Sequence, residues 1–169
     1  ITTGQIAAAM GVSQGALFRH FPDKQSIWTA ALDWTCSELQ RRFDGVLASP
    51  PLARLEAMLA AHIGFIMENP GVPRILFHEL QRPAGSPMQA LARNIVGSYR
   101  ERLKTLIQRA KDAGELPIGL DEDAAAVLFV GTVQGLVVQS TLFFGTLDMR
   151  EAGKRIFPIL LDGFRGVQS

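Results

Sequence analysis

Cysteine is almost absent from this chain, which has one, Cys36, among 169 residues. A single cysteine excludes an intramolecular disulfide framework and is typical of a protein from the reducing cytoplasm. No charged residue adjoins Cys36 to activate its thiol, so we interpret it as a core residue in preference to a redox sensor. No signal peptide is visible either, and we expect a cytoplasmic protein.

Histidine is scarce, and the net charge is only +1. His20, His62 and His78 stand outside any HExxH or CxxC context, so the sequence predicts neither a metal site nor a cofactor. The small net charge argues against a generic binder of polyanions, but it leaves room for a local basic patch.

No segment shows the sustained alternation of apolar and polar residues that a β-strand requires. Apolar residues instead recur at helical spacing, which predicts an all-α fold. Proline and glycine separate the predicted helices, which cover residues 23–46, 51–68, 87–113, a stretch from 121 onward, and 149–166. We place a domain boundary at Ser49-Pro50-Pro51, between a small unit over residues 1–46 and a larger one over residues 47–169.

Charge is missing altogether from residues 124–147. The window is long enough to span a bilayer and contains the GxxxG pair Gly131 and Gly135. Polar residues such as Gln134 interrupt it, so we interpret it as a buried helix of a soluble protein in preference to a membrane span. Such a helix must be covered on both sides, and we expect a second copy of the chain to cover one side, together with the helix at 149–166.

Residues 1–28 predict two short helices, a glycine turn and a third helix start. Thr2 and Gln5 have the spacing of a capping box, and Gly11 suits the positive φ that ends a helix. Ser13 suits the N-cap of the second helix, which Pro22 ends. This succession is typical of a helix-turn-helix, whose second helix enters the major groove of DNA.

The second helix begins with side chains that suit base edges. Gln14 can donate and accept at an adenine, Ala16 can contact a thymine methyl group, and Arg19 can reach a guanine or a phosphate. Gly15 allows the backbone to approach another surface closely. We interpret His20 as a phosphate contact or a helix-end residue.

The residue pattern of this segment has a counterpart in a known family. It is carried by Ile6, Ala7, Gly11, Val12, Ser13, Gly15, Leu17, Phe18, His20, Phe21 and Lys24. These residues resemble the DNA-binding domain of the TetR family of bacterial transcriptional repressors. In that family the position of Phe18 is usually tyrosine, and the positions of Phe18 and Lys24 commonly touch phosphates; Phe18 has no hydroxyl group for that contact.

The resemblance implies a fold with an N-terminal helix-turn-helix and a larger helical domain that binds an effector and dimerises. It implies a homodimeric repressor that binds a palindromic operator in double-stranded DNA, dimerises through its last two helices and is released by a small-molecule effector. The candidate DNA-binding residues are Thr2, Thr3, Ser13, Gln14, Gly15, Ala16, Phe18, Arg19, His20 and Lys24. The family has a further helix before the position of Thr2, so we expect the chain to be truncated. Residues 1–46 carry equal numbers of basic and acidic side chains, and we expect the absent helix to supply part of the positive charge.

Eight residues of the larger unit are candidates for an effector pocket because they are bulky, adaptable or able to form hydrogen bonds. They are Trp34, Met58, His62, Phe65, Phe77, Tyr99, Phe129 and Gln134. Core packing is the alternative interpretation of each. Few charges accompany them, so we expect a small apolar or aromatic effector with one or two polar groups.

The sequence also bears on two other classes of function, an enzyme and an interaction module. Gly11–Gly15 matches the GxSxG pattern of hydrolases, but that pattern needs a strand before the serine, and a helix is predicted there. We therefore expect no enzyme. The alternatives that stay open are an activator, a regulator that answers to a protein, and a helical ligand-binding or interaction module without sequence-specific DNA binding.

Overall fold

The computed structural model of the chain describes residues 2–46, 50–81, 85, 87–143 and 147–166. This part of the chain contains eight helices and no strand, which confirms the all-α prediction. The helices are α1 (Thr3–Ala9), α2 (Gln14–His20), α3 (Lys24–Asp44), α4 (Pro51–Glu68), α5 (Gly71–Leu80), α6 (Pro87–Asp112), α7 (Glu122–Leu142) and α8 (Met149–Arg165). Some predicted features lie outside the described residues. They are the break at residue 49, the loop over 82–84 and 86, and residues 144–146 of the uncharged window.

The helix-turn-helix is formed by α1 and α2, with the end signals that the sequence predicts. The Thr2 hydroxyl accepts from the Gln5 amide at 3.2 Å, and the Gln5 side chain accepts from the Thr2 amide at 2.8 Å. Gly11 ends α1 with a φ of 68°, a conformation that costs glycine little. The Ser13 hydroxyl accepts from the Ala16 amide at 3.1 Å and so caps α2.

Helix α3 runs from the helix-turn-helix into the body of the molecule. Its first half packs over a small apolar cluster in which Leu32 meets Met88 and Ile95 of α6, with Cys36 packed against it. Its second half enters the main core through Leu39 and Phe43. The same helix therefore contacts both parts of the protein.

Ion pairs hold the C-terminal end of α3 in place. Arg42 pairs with Glu38 on its own helix at 2.9 Å and with Glu68 of α4 at 2.6 Å. Arg102 of α6 pairs with Asp44 at 2.6 Å. Each exposed pair contributes roughly 0–1 kcal/mol, but together they fix this end of α3 against α4 and α6.

The main core lies between α4, α6, α7 and α8. Helices α4 and α8 approach so closely that a Cβ atom on Gly153 would lie 2.5 Å from Cδ1 of Ile63. Between α6 and α7, the buried Lys111 donates to the Leu120 carbonyl at 2.8 Å and pairs with Glu122. These contacts join the four helices into one packed unit.

Helix α7 is long and apolar enough to cross a membrane, with a mean hydropathy of 1.6. Its inner side, including Ala126, Phe129 and Val133, is buried in the main core of the chain. The burial of this side agrees with the interpretation of the uncharged window as a core helix.

The apolar side of α8 differs from what the sequence predicts. We expect Met149, Ile156, Phe157, Leu160, Leu161 and Phe164 to meet a partner, but all six pack in the chain's own core. An amphipathic helix buries its widest apolar side first, and here α4 and α7 cover that side, with Ile156 and Leu161 only half-buried. Dimerisation through α8 stays a prediction. The exposed large apolar side chain of α8 is Ile159.

Candidate functional site

The N-terminal half of α2 and its last turn form an exposed polar surface. Gln14, Gly15, Arg19 and His20 are all exposed, whereas Ala16 is half-buried against the rest of the unit. A Cβ atom on Gly15 would meet nothing within 4 Å, so the backbone there is open to an approaching surface. We call this surface, formed by Gln14, Gly15, Arg19 and His20, the α2 face.

One side chain of the α2 face is held by α1. The amide of Gln14 donates through Nε2 to Oγ1 of Thr3 at 3.0 Å. Thr3 is half-buried, so the contact fixes the direction in which Gln14 leaves the helix. The Gln14 carbonyl oxygen keeps its capacity to accept a hydrogen bond.

The hydroxyl groups of Thr2 and Ser13 already serve the backbone as helix caps. Ser13 lies in the turn between α1 and α2. A GxSxG nucleophile requires a strand before its serine, and here the helix α1 stands before Ser13. The hydroxyl groups of these residues therefore act in the fold, and their exposed positions border the α2 face.

Two further candidate residues lie beside the α2 face. Phe18 is exposed over 41% of its surface. Lys24 begins α3, and its Nζ lies 5.9 Å from the centre of the Trp28 ring. Together with Arg19 and His20, Lys24 gives this end of the molecule an excess of basic side chains over the neighbouring Asp23.

A cavity of about 90 Å³ lies in the larger helical part, and α3 to α7 contribute its walls. Among the residues that the structure describes, no charged side chain lines it. The sequence-predicted residues in its lining are His62, Phe65, Phe77, Tyr99 and Gln134. The aliphatic and small residues that complete it are Thr35, Leu39, Ile66, Val72, Pro73, Leu76, Ala92, Ile95, Val96, Val130, Val133 and Val137.

Three of the eight candidate pocket residues lie elsewhere. Trp34 is 52% exposed on the outer side of α3, with its ring centre 6.1 Å from that of Phe65. Met58 and Phe129 are fully buried in the main core. The sequence also misses the aliphatic lining, because helical periodicity does not distinguish a valine beside a cavity from one in a filled core.

A pair of neutral polar groups faces this cavity. Nδ1 of His62 lies 3.2 Å from the hydroxyl oxygen of Tyr99, whose ring stacks on Phe43. Burial lowers the pKa of His62 to about 4 and raises the pKa of Tyr99 well above its usual value. Both groups are therefore uncharged at neutral pH, and they give a mainly apolar cavity a hydrogen-bonding point in addition to Thr35 and Gln134.

The size of the cavity limits what it holds in this conformation. Pockets for drug-sized ligands occupy roughly 300–1,000 Å³, several times the volume present here. An effector of that size must therefore move part of the wall. The wall includes Thr35 and Leu39 of α3, the helix that begins directly after the α2 face.

Comparison with known proteins identifies both parts of the chain. Residues 1–31 match the family described as bacterial regulatory proteins, tetR family. Residues 48–138 match the family described as tetracyclin repressor-like, C-terminal domain. The two matches together cover most of the chain.

Individual proteins show the same relationship. Nucleoid occlusion factor SlmA of Aliivibrio fischeri (strain MJ11) is 26% identical over 137 residues, which cover 80% of this chain and 70% of the relative. The structure of the transcriptional regulator FadR from Bacillus subtilis in complex with stearoyl-CoA aligns with a TM-score of 0.81 at 17% identity, over 96% of this chain and 88% of that one. The ketosteroid transcriptional regulator KstR2 of Mycobacterium tuberculosis aligns with a TM-score of 0.79 at 21% identity, over 98% and 85% of the two chains.

The order of the helices, the two family matches and the aligned structures agree with the pattern in residues 6–24. This chain is a transcriptional regulator with a DNA-binding domain and belongs to the TetR family of bacterial regulatory proteins.

Proposed function

We propose that the protein is a homodimeric, cytoplasmic repressor that binds a palindromic operator through α2 and leaves it when an apolar small molecule enters the cavity. The observation that carries this proposal is the shared helix α3. It begins at the α2 face, and its side chains Thr35 and Leu39 form part of the cavity wall. The protein needs no catalytic step for this role.

The α2 face supplies the contacts that operator binding requires. Gln14 can bond an adenine edge, and the open backbone at Gly15 allows the helix to enter the groove. Arg19, His20 and Lys24 supply charge for phosphate oxygens, which contribute most of the affinity that does not depend on sequence. Thr2, Thr3, Ser13 and Phe18 border this surface.

The outer side of α7 is the proposed dimer interface. Large apolar side chains are exposed along it and on α8: Val127, Leu128, Val138, Leu142 and Ile159. Gly131 and Gly135 lie on the same helix, and a Cβ atom on either would meet nothing within 4 Å. A second α7 can therefore approach closely, and a two-fold dimer places its recognition helices about 34–36 Å apart, one turn of DNA.

The lining of the cavity favours an apolar effector. A charged ligand there would lose its hydration without gaining an ionic partner, which is costly. The His62 and Tyr99 pair offers one hydrogen bond to a polar atom of the ligand. The FadR structure from Bacillus subtilis contains stearoyl-CoA, so a protein with this fold accommodates a ligand with a long acyl chain.

Helix α5 provides the path from the cavity to α3. Leu76 lines the cavity and also packs against the apolar cluster beneath the first half of α3, where Leu32 is buried. The far end of α3 is fixed by Arg42 and Arg102. An effector that pushes α5 outward therefore shifts the end of α3 next to the α2 face. Operator affinity falls by the difference between the effector's binding free energies to the shifted and unshifted conformations.

Binding of the intact protein to DNA from its own promoter region tests the proposal. Fluorescence anisotropy with that duplex and with a scrambled duplex, each at two salt concentrations, separates specific from non-specific binding. We expect tight binding of a dimer to the promoter DNA that survives moderate salt and disappears on scrambling. Equal, weak and salt-sensitive binding to both duplexes would favour an interaction module instead.

A further inference from the structure

An open cleft of about 820 Å³ lies outside the cavity, against the same wall. Four residues line both spaces: Ile66 of α4, Pro73 and Phe77 of α5, and Val137 of α7. Among the residues that the structure describes, these four apolar side chains are the ones that border both the cavity and the cleft. The two spaces are therefore neighbours.

The cleft differs from the cavity in its charge. Its ionisable lining residues are Arg74 and His78, which are exposed one turn apart on α5. Neither forms an ion pair within the part of the chain that the structure describes. Glu79, the acidic residue of α5, is buried, and it lines a second groove to which Arg74 and His78 also contribute.

Hydroxyl groups complete the polar part of the cleft. Ser140 and Thr141 lie near the end of α7, on the side of the cleft formed by Val137. The Thr141 hydroxyl donates to the Val137 carbonyl at 2.9 Å, so its lone pairs stay free to accept a bond. Ser140 is half-buried at the same end of the helix.

Polarity thus changes in one direction along this part of the molecule. Among the described residues, the inner cavity has no charged lining, the shared wall is apolar, and the outer cleft is lined by Arg74, which has no ionic partner there, and by His78. We infer that the effector is a single-chain amphiphile with an anionic head group. Its aliphatic chain passes the wall into the cavity, and its head group binds Arg74 and His78; this inference rests on the function proposed above.

Phe77 is the residue of the wall that best suits a gate. It is half-buried and lines both spaces, so rotation of its ring joins them. The cavity of about 90 Å³ is several times smaller than the roughly 300–1,000 Å³ of pockets that hold drug-sized ligands, so a long aliphatic chain needs the wall to open. Entry of the chain therefore displaces α5, the helix that contacts the cluster under α3.

Matched probes test the head group. Dodecanoate, dodecyl phosphate and dodecanol share one chain and differ in the charge and source of the head group. Their binding to the intact protein is measured by tryptophan fluorescence, since Trp34 contacts Phe65 of the cavity lining. We expect the preferred anion to bind about tenfold more tightly than dodecanol, the factor that one charge-assisted hydrogen bond supplies.

Two variants assign that preference to the cleft. In the double variant Arg74→Gln and His78→Gln, the anions should bind no more tightly than dodecanol, whose own affinity stays within about twofold. The control variant Arg109→Gln removes an exposed arginine of α6 that lines neither space, and it should keep the preference. The tighter-binding anion shows whether the cleft prefers a carboxylate or a phosphate ester as head group. Either preference supports the inference.

A third variant separates this inference from the proposed function. Ala92→Leu places a larger side chain in the cavity and should abolish binding of all three probes; Val133→Phe serves if Ala92→Leu does not fold. The head-group inference is overturned if dodecanol binds through the cavity but neither anion binds more tightly. It is also overturned if the preference for an anion survives the double variant. In both cases the proposal of an apolar effector stands. If the probes bind equally well to the filled cavity, both are overturned.

Discussion

Nε2 of Gln14 lies 3.0 Å from Oγ1 of Thr3, so the first side chain of the recognition helix is anchored by the helix before it. The anchor restricts Gln14 before DNA arrives. Holding a flexible side chain in place removes part of the entropy cost of binding, roughly 0.5–1.5 kcal/mol per side chain. The contact between α1 and α2 therefore bears on sequence discrimination as well as on the fold.

Replacement of Thr3 by valine removes the acceptor and keeps the shape of the side chain. We expect the variant to lose about fivefold in its preference for the operator over a duplex changed at the adenine step, because Gln14 is no longer held. Anisotropy titrations with the two duplexes measure the ratio. Thr132→Val on α7 is the matched control, and a loss of affinity that is equal for both duplexes would contradict the role given to Thr3.

Gln14 and Lys24 should affect DNA binding in different ways. Gln14→Ala should relax preference at one base pair, at a cost of about 1–3 kcal/mol for the correct base. Lys24→Gln should weaken binding to all sequences alike and lower the salt slope by about one. Titrations at several salt concentrations check both, and similar effects of the two variants on random DNA would refute the assignment.

The outer side of α7 should control the oligomeric state. Leu128 is 53% exposed, so Leu128→Glu should leave the fold of one chain intact and place a charge in the proposed interface. We expect a dimer for the wild type and a monomer for the variant in sedimentation-velocity runs at the same concentration. The control is Ile118→Glu, since Ile118 is exposed in the linker before α7; a monomeric control or a dimeric Leu128→Glu variant would exclude this interface.

His62 should make stability depend on pH. Its pKa is about 4 in the folded protein, below the ordinary value of 6.5, because burial disfavours the charged ring. Between these two values the unfolded chain binds a proton that the folded chain does not, so stability is complete above pH 6.5 and decreases as the pH falls towards 4. We expect His62 to contribute about 3 kcal/mol to this decrease.

Urea unfolding of the His62→Gln variant across this range measures the effect. The variant should show a smaller fall in stability with acid than the wild type, whatever its stability at neutral pH. His20→Gln provides the control, because His20 is exposed at the end of α2. An unchanged pH dependence in the His62 variant would show that its ring is not held neutral in the cavity.

The helix ends were predictable from the sequence because local chemistry determines them. Gly11 ends α1 by its freedom at positive φ, and Ser13 and Asp23 begin α2 and α3 by accepting from backbone amides three residues on. Pro51 begins α4, as a proline in a first turn does. None of these signals depends on a distant part of the chain.

The candidate site was predictable only in part, because it depends on how helices face one another. Trp34 and Thr35 are neighbours in the chain, yet α3 directs Trp34 to the surface and Thr35 to the cavity. The rule that a buried polar group needs a partner favours His62 and Gln134 as pocket residues; His62 has Tyr99 as its partner, whereas Gln134 is exposed on α7. The DNA contacts and the division of the chain at residue 46 stay predictions.

Coupling between the cavity and the operator is the central claim, and reciprocal titration tests it most directly. Operator affinity is measured with and without a saturating probe, either dodecanol or dodecanoate, and probe affinity is measured with and without operator. We predict that each ligand lowers the affinity for the other by the same factor, as linkage requires. A probe that fills the cavity, as shown by its loss of binding in Ala92→Leu, and leaves operator affinity unchanged would contradict the account.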